Sequence, residues 1–176
     1  MSDKFKLLLK QIHFPQHEEA YNEIKSGSIE SVKLFKSKRQ WFFVFSFRNL
    51  LSYETFTLFD NLLHSSFDSL GAKVSYMINV EDISCDQSLL EAYFSYALDI
   101  LKSSHFSIYS LFSNLGIEIS NNSISVKAPA HILRENLHER FIALIADVLS
   151  NVGLSNVSIS VLEDKEASSS LEEAYE

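Results

Sequence analysis

The chain of 176 residues is poor in the residues that make disulfides, tight turns and membrane spans. Cys85 is the only cysteine, which excludes an intramolecular disulfide and a thiolate metal cage. Glycine (4) and proline (2) are scarce, so helices and strands must fill most of the chain. Residues 1–17 hold only three consecutive leucines, which lysines interrupt. We therefore expect no signal peptide and no membrane span, and a cytoplasmic location.

Positive charge is also scarce, since the formal net charge is −8. Affinity for nucleic acid comes mostly from cationic contacts to phosphate, so an acidic chain begins with that contribution against it. Residues 33–48 are the exception because they contain no acid and five cations: Lys33, Lys36, Lys38, Arg39 and Arg48. The last fourteen residues carry six acids and one lysine, which predicts an acidic linker beginning at residue 164.

Catalytic motifs are missing as well. The sequence has no Gly-x-x-x-x-Gly-Lys phosphate loop, no Gly-x-Ser-x-Gly elbow and no His-Glu-x-x-His metal motif. Glu135 and Glu139 are predicted to share a helix face, where solvated i, i+4 pairs are a more ordinary role than acid–base catalysis. We predict no catalytic residue, no metal ligand and no cofactor in this chain.

The apolar pattern predicts an α+β fold with a largely antiparallel sheet. An amphipathic helix begins at Phe5, residues 16–28 form a loop, and residues 29–80 follow as β-β-α-β. The helix of that unit is capped by Ser52 and ends at Gly71, with its stripe at Phe56, Phe59, Leu63 and Phe67.

A second β-β-α-β unit is predicted over residues 117–162, after two helices capped by Asp86 and Ser104. Its helix spans residues 131–151, with a stripe of Leu133, Leu137, Phe141, Leu144 and Val148. The predicted domains are residues 1–82, residues 83–163 and the linker 164–176. Duplication of one unit and the recurrence of a common pattern both explain the repeat.

The stretch RQWFFVFSFR, residues 39–48, is predicted to be a strand with two different faces. One face carries Trp41, Phe43, Phe45 and Phe47, and the other carries Phe42, Val44 and Ser46. The stretch partly matches the aromatic signature of RNA-recognition sheets, but Gln40 and Phe42 replace its small residues. Burying one large apolar side chain is worth about 1.5–3 kcal/mol, so the four aromatic residues are predicted to lie in the core.

Two spaced patterns are present in the chain, F-x-x-L-x-x-Q-I and, further along, W-x-F-x-F-x-F-x-x-L-L. They are carried by Phe5, Leu8, Gln11, Ile12, Trp41, Phe43, Phe45, Phe47, Leu50 and Leu51. In both patterns, and in the later order of elements, the chain resembles the N-terminal region of the PolC family. These are the DNA polymerase III alpha subunits of low-GC Gram-positive bacteria.

The resemblance implies that the catalytic chemistry lies elsewhere in a longer parent chain. That parent would be a DNA-directed DNA polymerase with a 3'–5' exonuclease, and contact with DNA would be made through this parent chain. The family's N-terminal region is similar to the polymerase-binding domain of the clamp-loader tau subunit, with a KH-like fold. Nucleic-acid-binding KH modules use a Gly-x-x-Gly loop, which this sequence lacks. The resemblance therefore implies a KH-like scaffold for protein binding.

Two hypotheses follow for the function. In the first, the chain is a non-catalytic module that docks a replisome protein, the clamp-loader tau subunit, through the basic hairpin. In the second, it binds single-stranded or template nucleic acid weakly, with the hairpin cations on phosphates and Trp41 or Tyr21 stacking on bases. Steep loss of affinity with salt is expected only of the second.

Overall fold

The computed structural model describes residues 3–165, most of which lie in helices and strands. In chain order they are α1 (Asp3–Gln11), α2 (Glu19–Ile24), β1 (Ser28–Phe35), β2 (Gln40–Asn49), α3 (Tyr53–Ser69), β3 (Lys73–Asp82), α4 (Gln87–Ser104), α5 (Phe106–Phe112), β4 (Gly116–Ile119), β5 (Ser123–Ala128), α6 (Ala130–Arg134), α7 (Leu137–Asn151) and β6 (Ser158–Glu163). The predicted acidic linker, residues 164–176, lies outside the described residues except for its first two positions.

The contacts within the chain separate two units. The first unit contains residues 3–84 together with residues 151–154, and the second contains residues 85–150 and 155–165. The domain boundaries predicted from the sequence, at residues 82 and 163, stay a prediction.

Each unit contains one three-stranded sheet, in the order β1-β2-β3 in the first and β4-β5-β6 in the second. The first two strands of each sheet pair antiparallel, and the third pairs parallel to the second. The α+β class and the two β-β-α-β units are therefore confirmed. The pairing is mixed rather than largely antiparallel, because the helix before each third strand carries the chain back across the sheet. KH-like similarity stays a prediction.

The core of the first unit lies between its sheet and the helices α1 and α3. Phe5 of α1 packs edge-on against Phe45 and Phe47 of β2, with ring centroids 5.8 and 5.6 Å apart. Phe59 of α3 packs edge-on against Phe45 at 5.2 Å. Both helices therefore cover the same side of β2. In the second unit, Phe112 of α5 stacks on Phe141 of α7 at 4.4 Å.

Two of the three predicted helix caps are confirmed. The Ser52 hydroxyl accepts a hydrogen bond from the Thr55 backbone at 3.4 Å, and the Asp86 carboxylate accepts one from the Leu89 backbone at 2.8 Å. Ser104 was wrongly predicted as a cap, because α4 continues through it and its hydroxyl donates to the Ile100 carbonyl at 2.8 Å. A serine inside a helix can bond the preceding turn in this way, so its presence alone does not mark a start.

The single long helix predicted over residues 131–151 is wrong. The chain breaks at Asn136, whose φ of 57° is left-handed, and this separates α6 from α7. Asparagine tolerates this conformation better than most residues. Glu135 and Glu139 therefore do not share a helix face as predicted.

The apolar stripe predicted for that helix is also partly wrong. The buried residues are Ile132, Phe141, Ile145 and Leu149, whereas Leu133, Leu137, Leu144 and Val148 are half-buried. Apolar residues occur as neighbours at 144–145 and at 148–149, so periodicity alone did not decide which member of each pair enters the core.

Helix α2 was predicted as part of a loop, and the structure corrects this. It has six residues, of which only Ile24 is buried, so it carries little periodic signal. A tertiary contact holds it, because the Glu23 carboxylate accepts hydrogen bonds from the hydroxyls of Ser52 at 2.9 Å and Thr55 at 2.6 Å. The start of α3 thus fixes the position of α2.

Candidate docking surface

The β1–β2 hairpin carries the cations and aromatic residues that the sequence singled out. Residues Lys36–Lys38 form one turn of 3-10 helix between the strands. Arg39 follows with a φ of 47°, the left-handed conformation that returns the chain into β2. The Arg39 carbonyl accepts a hydrogen bond from the Lys73 backbone at 2.9 Å, so the turn is also tied to β3.

The four aromatic residues that alternate along β2 face the helices. Phe43, Phe45 and Phe47 are buried, and Trp41 is half-buried. The Trp41 ring lies 5.8 Å from the Phe67 ring of α3 and 6.2 Å from the Phe43 ring. These rings therefore form the side of the sheet under the helices and leave no row of rings in water for bases to stack on.

An open apolar groove lies at the hairpin end of this side of the sheet. It has a volume of about 730 Å³ and is formed by α1, β1, β2 and the end of α3. We call it the hairpin groove, and its main apolar lining residues are Leu7, Val32, Leu34, Trp41, Phe67 and Leu70.

Several lining residues expose large apolar area to solvent. The exposed fraction is 59% for Leu7, 43% for Val32, 44% for Leu34 and 75% for Leu70. Single exposed apolar side chains are common, but a contiguous set that lines one groove is typical of an interaction site. The hairpin groove is therefore the candidate functional site of the first unit.

The charges that line the hairpin groove are all positive. Lys4 comes from α1, and Lys36 and Arg39 come from the hairpin turn. Among residues 3–165, no aspartate or glutamate lines the groove. The chain as a whole has a formal net charge of −8, so this groove is a local cationic site on an acidic protein.

The structure does not bring the five predicted cations together. All five are exposed: Lys33, Lys36, Lys38, Arg39 and Arg48. Only Lys36 and Arg39 line the hairpin groove. Lys33 pairs with Phe42, so it lies on the sheet face away from the helices. Arg48 lies toward the opposite end of β2, roughly 30 Å from Arg39 at about 3.3 Å per residue.

Sequence reasoning missed Lys4, Leu7 and Leu70 as members of this site. In the sequence, Leu7 is one leucine of a short predicted helix, and Leu70 is the residue before the glycine that ends a predicted helix. The sequence offered a signal only for the β1 part of the groove, where apolar Val32 and Leu34 flank the charged Lys33. The groove joins residues that are far apart in the chain.

Apart from the hairpin groove, the first unit has a cluster of polar side chains on α3 and β3. The Tyr76 hydroxyl donates to the Asp60 carboxylate at 2.5 Å, and His64 Nδ1 lies 3.3 Å from the same carboxylate oxygen. The hydrogen bond with the Asp60 side chain raises the pKa of His64 from 6.5 to about 9, against the opposing effect of burial. The imidazole is therefore charged at neutral pH.

This pKa predicts a pH-dependent stability. A group whose pKa is raised on folding stabilises the fold fully below its unfolded pKa of 6.5, and this contribution is lost as the pH rises through about 9. The free energy of unfolding of the wild type should therefore exceed that of His64→Gln most below pH 6.5, and the difference should disappear above pH 9. Urea unfolding of both proteins across this range is the measurement. A difference that does not change with pH would contradict the assignment.

Cys85 is the one candidate nucleophile among the cysteines of this chain. Burial raises the pKa of the Cys85 thiol, and the Asp86 carboxylate adds to this, so the thiol is a poor nucleophile at neutral pH. Within the described part of the chain, no three His, Cys, Asp or Glu side chains are grouped to hold a metal ion. No helix among residues 3–165 combines the length and apolarity needed to cross a membrane.

Two family models match the chain. The model described as DNA polymerase III polC-type N-terminus I matches residues 4–78, and polC-type N-terminus II matches residues 92–176. Curated relatives named DNA polymerase III PolC-type include those of Streptococcus agalactiae (26% identical over 100% of this chain and 12% of the relative) and Streptococcus suis (27% identical over 92% and 11%). The chain thus spans only 11–12% of the length of these relatives. No solved structure matches the chain.

Proposed function

The chain belongs to the family of N-terminal regions of PolC-type DNA polymerase III, and from this premise we propose that it is a non-catalytic docking module of a bacterial replicative DNA polymerase. The partner we propose is a replisome protein, the clamp-loader tau subunit, bound at the hairpin groove. The polymerase and exonuclease chemistry would lie in the rest of the parent chain, in the cytoplasm.

The observation that carries this proposal is the composition of the hairpin groove. Burying exposed apolar surface favours association, and Leu7, Val32, Leu34 and Leu70 offer such surface side by side. Lys36 and Arg39 at its rim would steer an acidic partner and fix its orientation. Such a groove can bind a partner protein without any catalytic group.

The nucleic-acid hypothesis has less support. Phosphate binding along a strand requires cations spaced along one surface. Lys33 and Arg48 lie away from Lys36 and Arg39, and the four alternating aromatic rings of β2 face the helices. Protein docking is therefore the function that the geometry supports best.

Charge reversal at the groove tests this function. The double variant Lys36→Glu, Arg39→Glu is expected to weaken binding of purified tau subunit about tenfold, which corresponds to about 1.4 kcal/mol. The reason is that both cations line the groove where the partner would lie. Isothermal titration calorimetry with the 176-residue chain gives the dissociation constants.

The matched control is Lys33→Glu, which reverses a cation of the same hairpin on the other sheet face. It should leave tau binding within about twofold of wild type, which corresponds to at most about 0.4 kcal/mol. The proposal is wrong if tau does not bind the wild-type chain. It is also wrong if single-stranded DNA binds with a steep salt dependence that Lys36→Glu, Arg39→Glu flattens while tau binding stays unchanged.

A further inference from the structure

We propose that the occupant of the hairpin groove is an amphipathic α-helix of the partner, with apolar residues on one face and aspartate or glutamate beside them. This inference rests on the proposed docking function and deepens it by stating the chemistry of the bound segment. In the part of the chain that the structure describes, no helix fills this position in the helix layer of the first sheet.

The packing around the groove shows this unfilled position. Helices α1 and α3 both lie on the side of the sheet that carries Phe45. Val32 pairs with Phe43 and Leu34 with Trp41, so these β1 residues project to the same side. Both β1 residues are more than 40% exposed, so no helix within residues 3–165 fully covers the β1 part of this side.

Backbone hydrogen bonding decides between a helix and an extended segment. The floor of the groove includes side chains of β2, which is the central strand and pairs with β1 and β3 on its two edges. A segment that lies on this face over β2 therefore finds no free strand edge beneath it, because the free edge on this side belongs to β1. Its own backbone groups would be buried against apolar side chains, where unpaired groups are costly. A helix satisfies these groups internally, whereas an added strand would have to pair at a sheet edge.

The charges define which helix fits. Lys4 lies on the α1 side of the groove, and Lys36 and Arg39 lie at its hairpin end. Apolar residues at i, i+3, i+4 and i+7 would face Leu7, Leu34 and Leu70, and acidic residues beside that stripe would face the three cations. A basic helix would instead place like charges together at the groove.

Three synthetic peptides test the inference by fluorescence anisotropy with the 176-residue chain. Each has about 16 residues, because shorter isolated helices are marginal in water. The first carries leucine at i, i+3, i+4 and i+7 with flanking glutamate, the second replaces glutamate with lysine, and the third replaces two central positions of the first with proline. We expect the first to bind and to displace the tau subunit, and the other two to bind at least about tenfold more weakly.

Variants of the chain test whether the peptide binds in the hairpin groove. Leu7→Asp and Leu70→Asp should each weaken binding of the acidic peptide at least about tenfold, while folding is checked by circular dichroism. The matched control is Leu162→Asp, because Leu162 is 53% exposed and does not line the groove. It should bind the peptide as wild type does.

The outcomes separate this inference from the proposed function. If tau binds and Lys36→Glu, Arg39→Glu weakens it, but the acidic peptide neither binds nor competes, the helix inference fails and the docking function stands. If the peptide binds in the groove and tau does not bind, the proposed partner fails and the helix inference stands. A wild-type dimer that Leu70→Asp dissociates in light scattering would assign the groove to a second copy of the chain and overturn the inference.

Discussion

Phe45→Ala is expected to lower the free energy of unfolding of the first unit by about 3–5 kcal/mol. Phe45 has no exposed surface. Its ring lies 5.2–5.8 Å from the rings of Phe5, Phe43, Phe59 and Tyr76, which belong to α1, β2, α3 and β3. Alanine would leave a cavity where these four elements meet, and the lost contacts could not all be recovered by relaxation.

Trp41 makes this measurement specific to the first unit. It is the only tryptophan in the chain and lies on the same side of β2 as Phe45, so its fluorescence follows the unfolding of this sheet in urea. The control is Phe42→Ala, since Phe42 is half-buried on the other face. Phe42→Ala should lower the free energy of unfolding clearly less than Phe45→Ala does. If Phe42→Ala lowered the free energy of unfolding as much as Phe45→Ala or more, the core would lie on the Phe42 face of β2, which would contradict the packing described above.

Gly27→Ala is expected to lower the free energy of unfolding of the same unit by about 1–3 kcal/mol. A methyl group at Gly27 would lie 2.3 Å from Phe47 Cε1 and 3.0 Å from Phe5 Cε1. Both rings are buried and pack against each other at 5.6 Å, so neither can turn away freely. Their displacement would also disturb the contact between α1 and the sheet.

Gly116→Ala is the control for this substitution, because a methyl group there meets no atom within 4 Å. It should leave stability unchanged or raise it by about 0.4–1 kcal/mol. A double-mutant cycle of Gly27→Ala with Phe47→Leu tests the steric explanation further. The losses in free energy of unfolding of the two single variants should not add in the double variant, because leucine leaves room for the methyl group at residue 27. Additive costs, or a Gly116→Ala loss as large as that of Gly27→Ala, would argue against a steric cause.

Local signals in the sequence were sufficient for several elements. The alternation of Trp41, Phe43, Phe45 and Phe47 predicted β2 and its faces, since successive side chains of a strand point to opposite sides. The caps at Ser52 and Asp86 and the helix end at Gly71 were also predicted from single residues. In each case the physical cause acts within a few positions of the residue itself.

Prediction failed where the deciding contact is distant in the chain. Helix α2 depends on the contact of Glu23 with Ser52 and Thr55, which periodicity does not show. The break at Asn136 interrupts a stretch whose apolar pattern continues on both sides, so the pattern alone predicted one helix. The parallel third strand follows from the path of the whole β-α-β segment rather than from the strand residues.

The amino-acid pattern alone was sufficient to predict the α+β class, the aromatic strand and the cationic hairpin on an acidic chain, and it carries the resemblance to the PolC family. Which of these residues line the hairpin groove depends on the packing of the folded chain. The two-residue period of β1 and β2 separates Lys33 from the helix side, while the turn places Lys36 and Arg39 beside the groove. The groove itself exists because α1 and the end of α3 meet the hairpin from distant parts of the chain. Such proximity depends on the closed fold, and no local pattern encodes it.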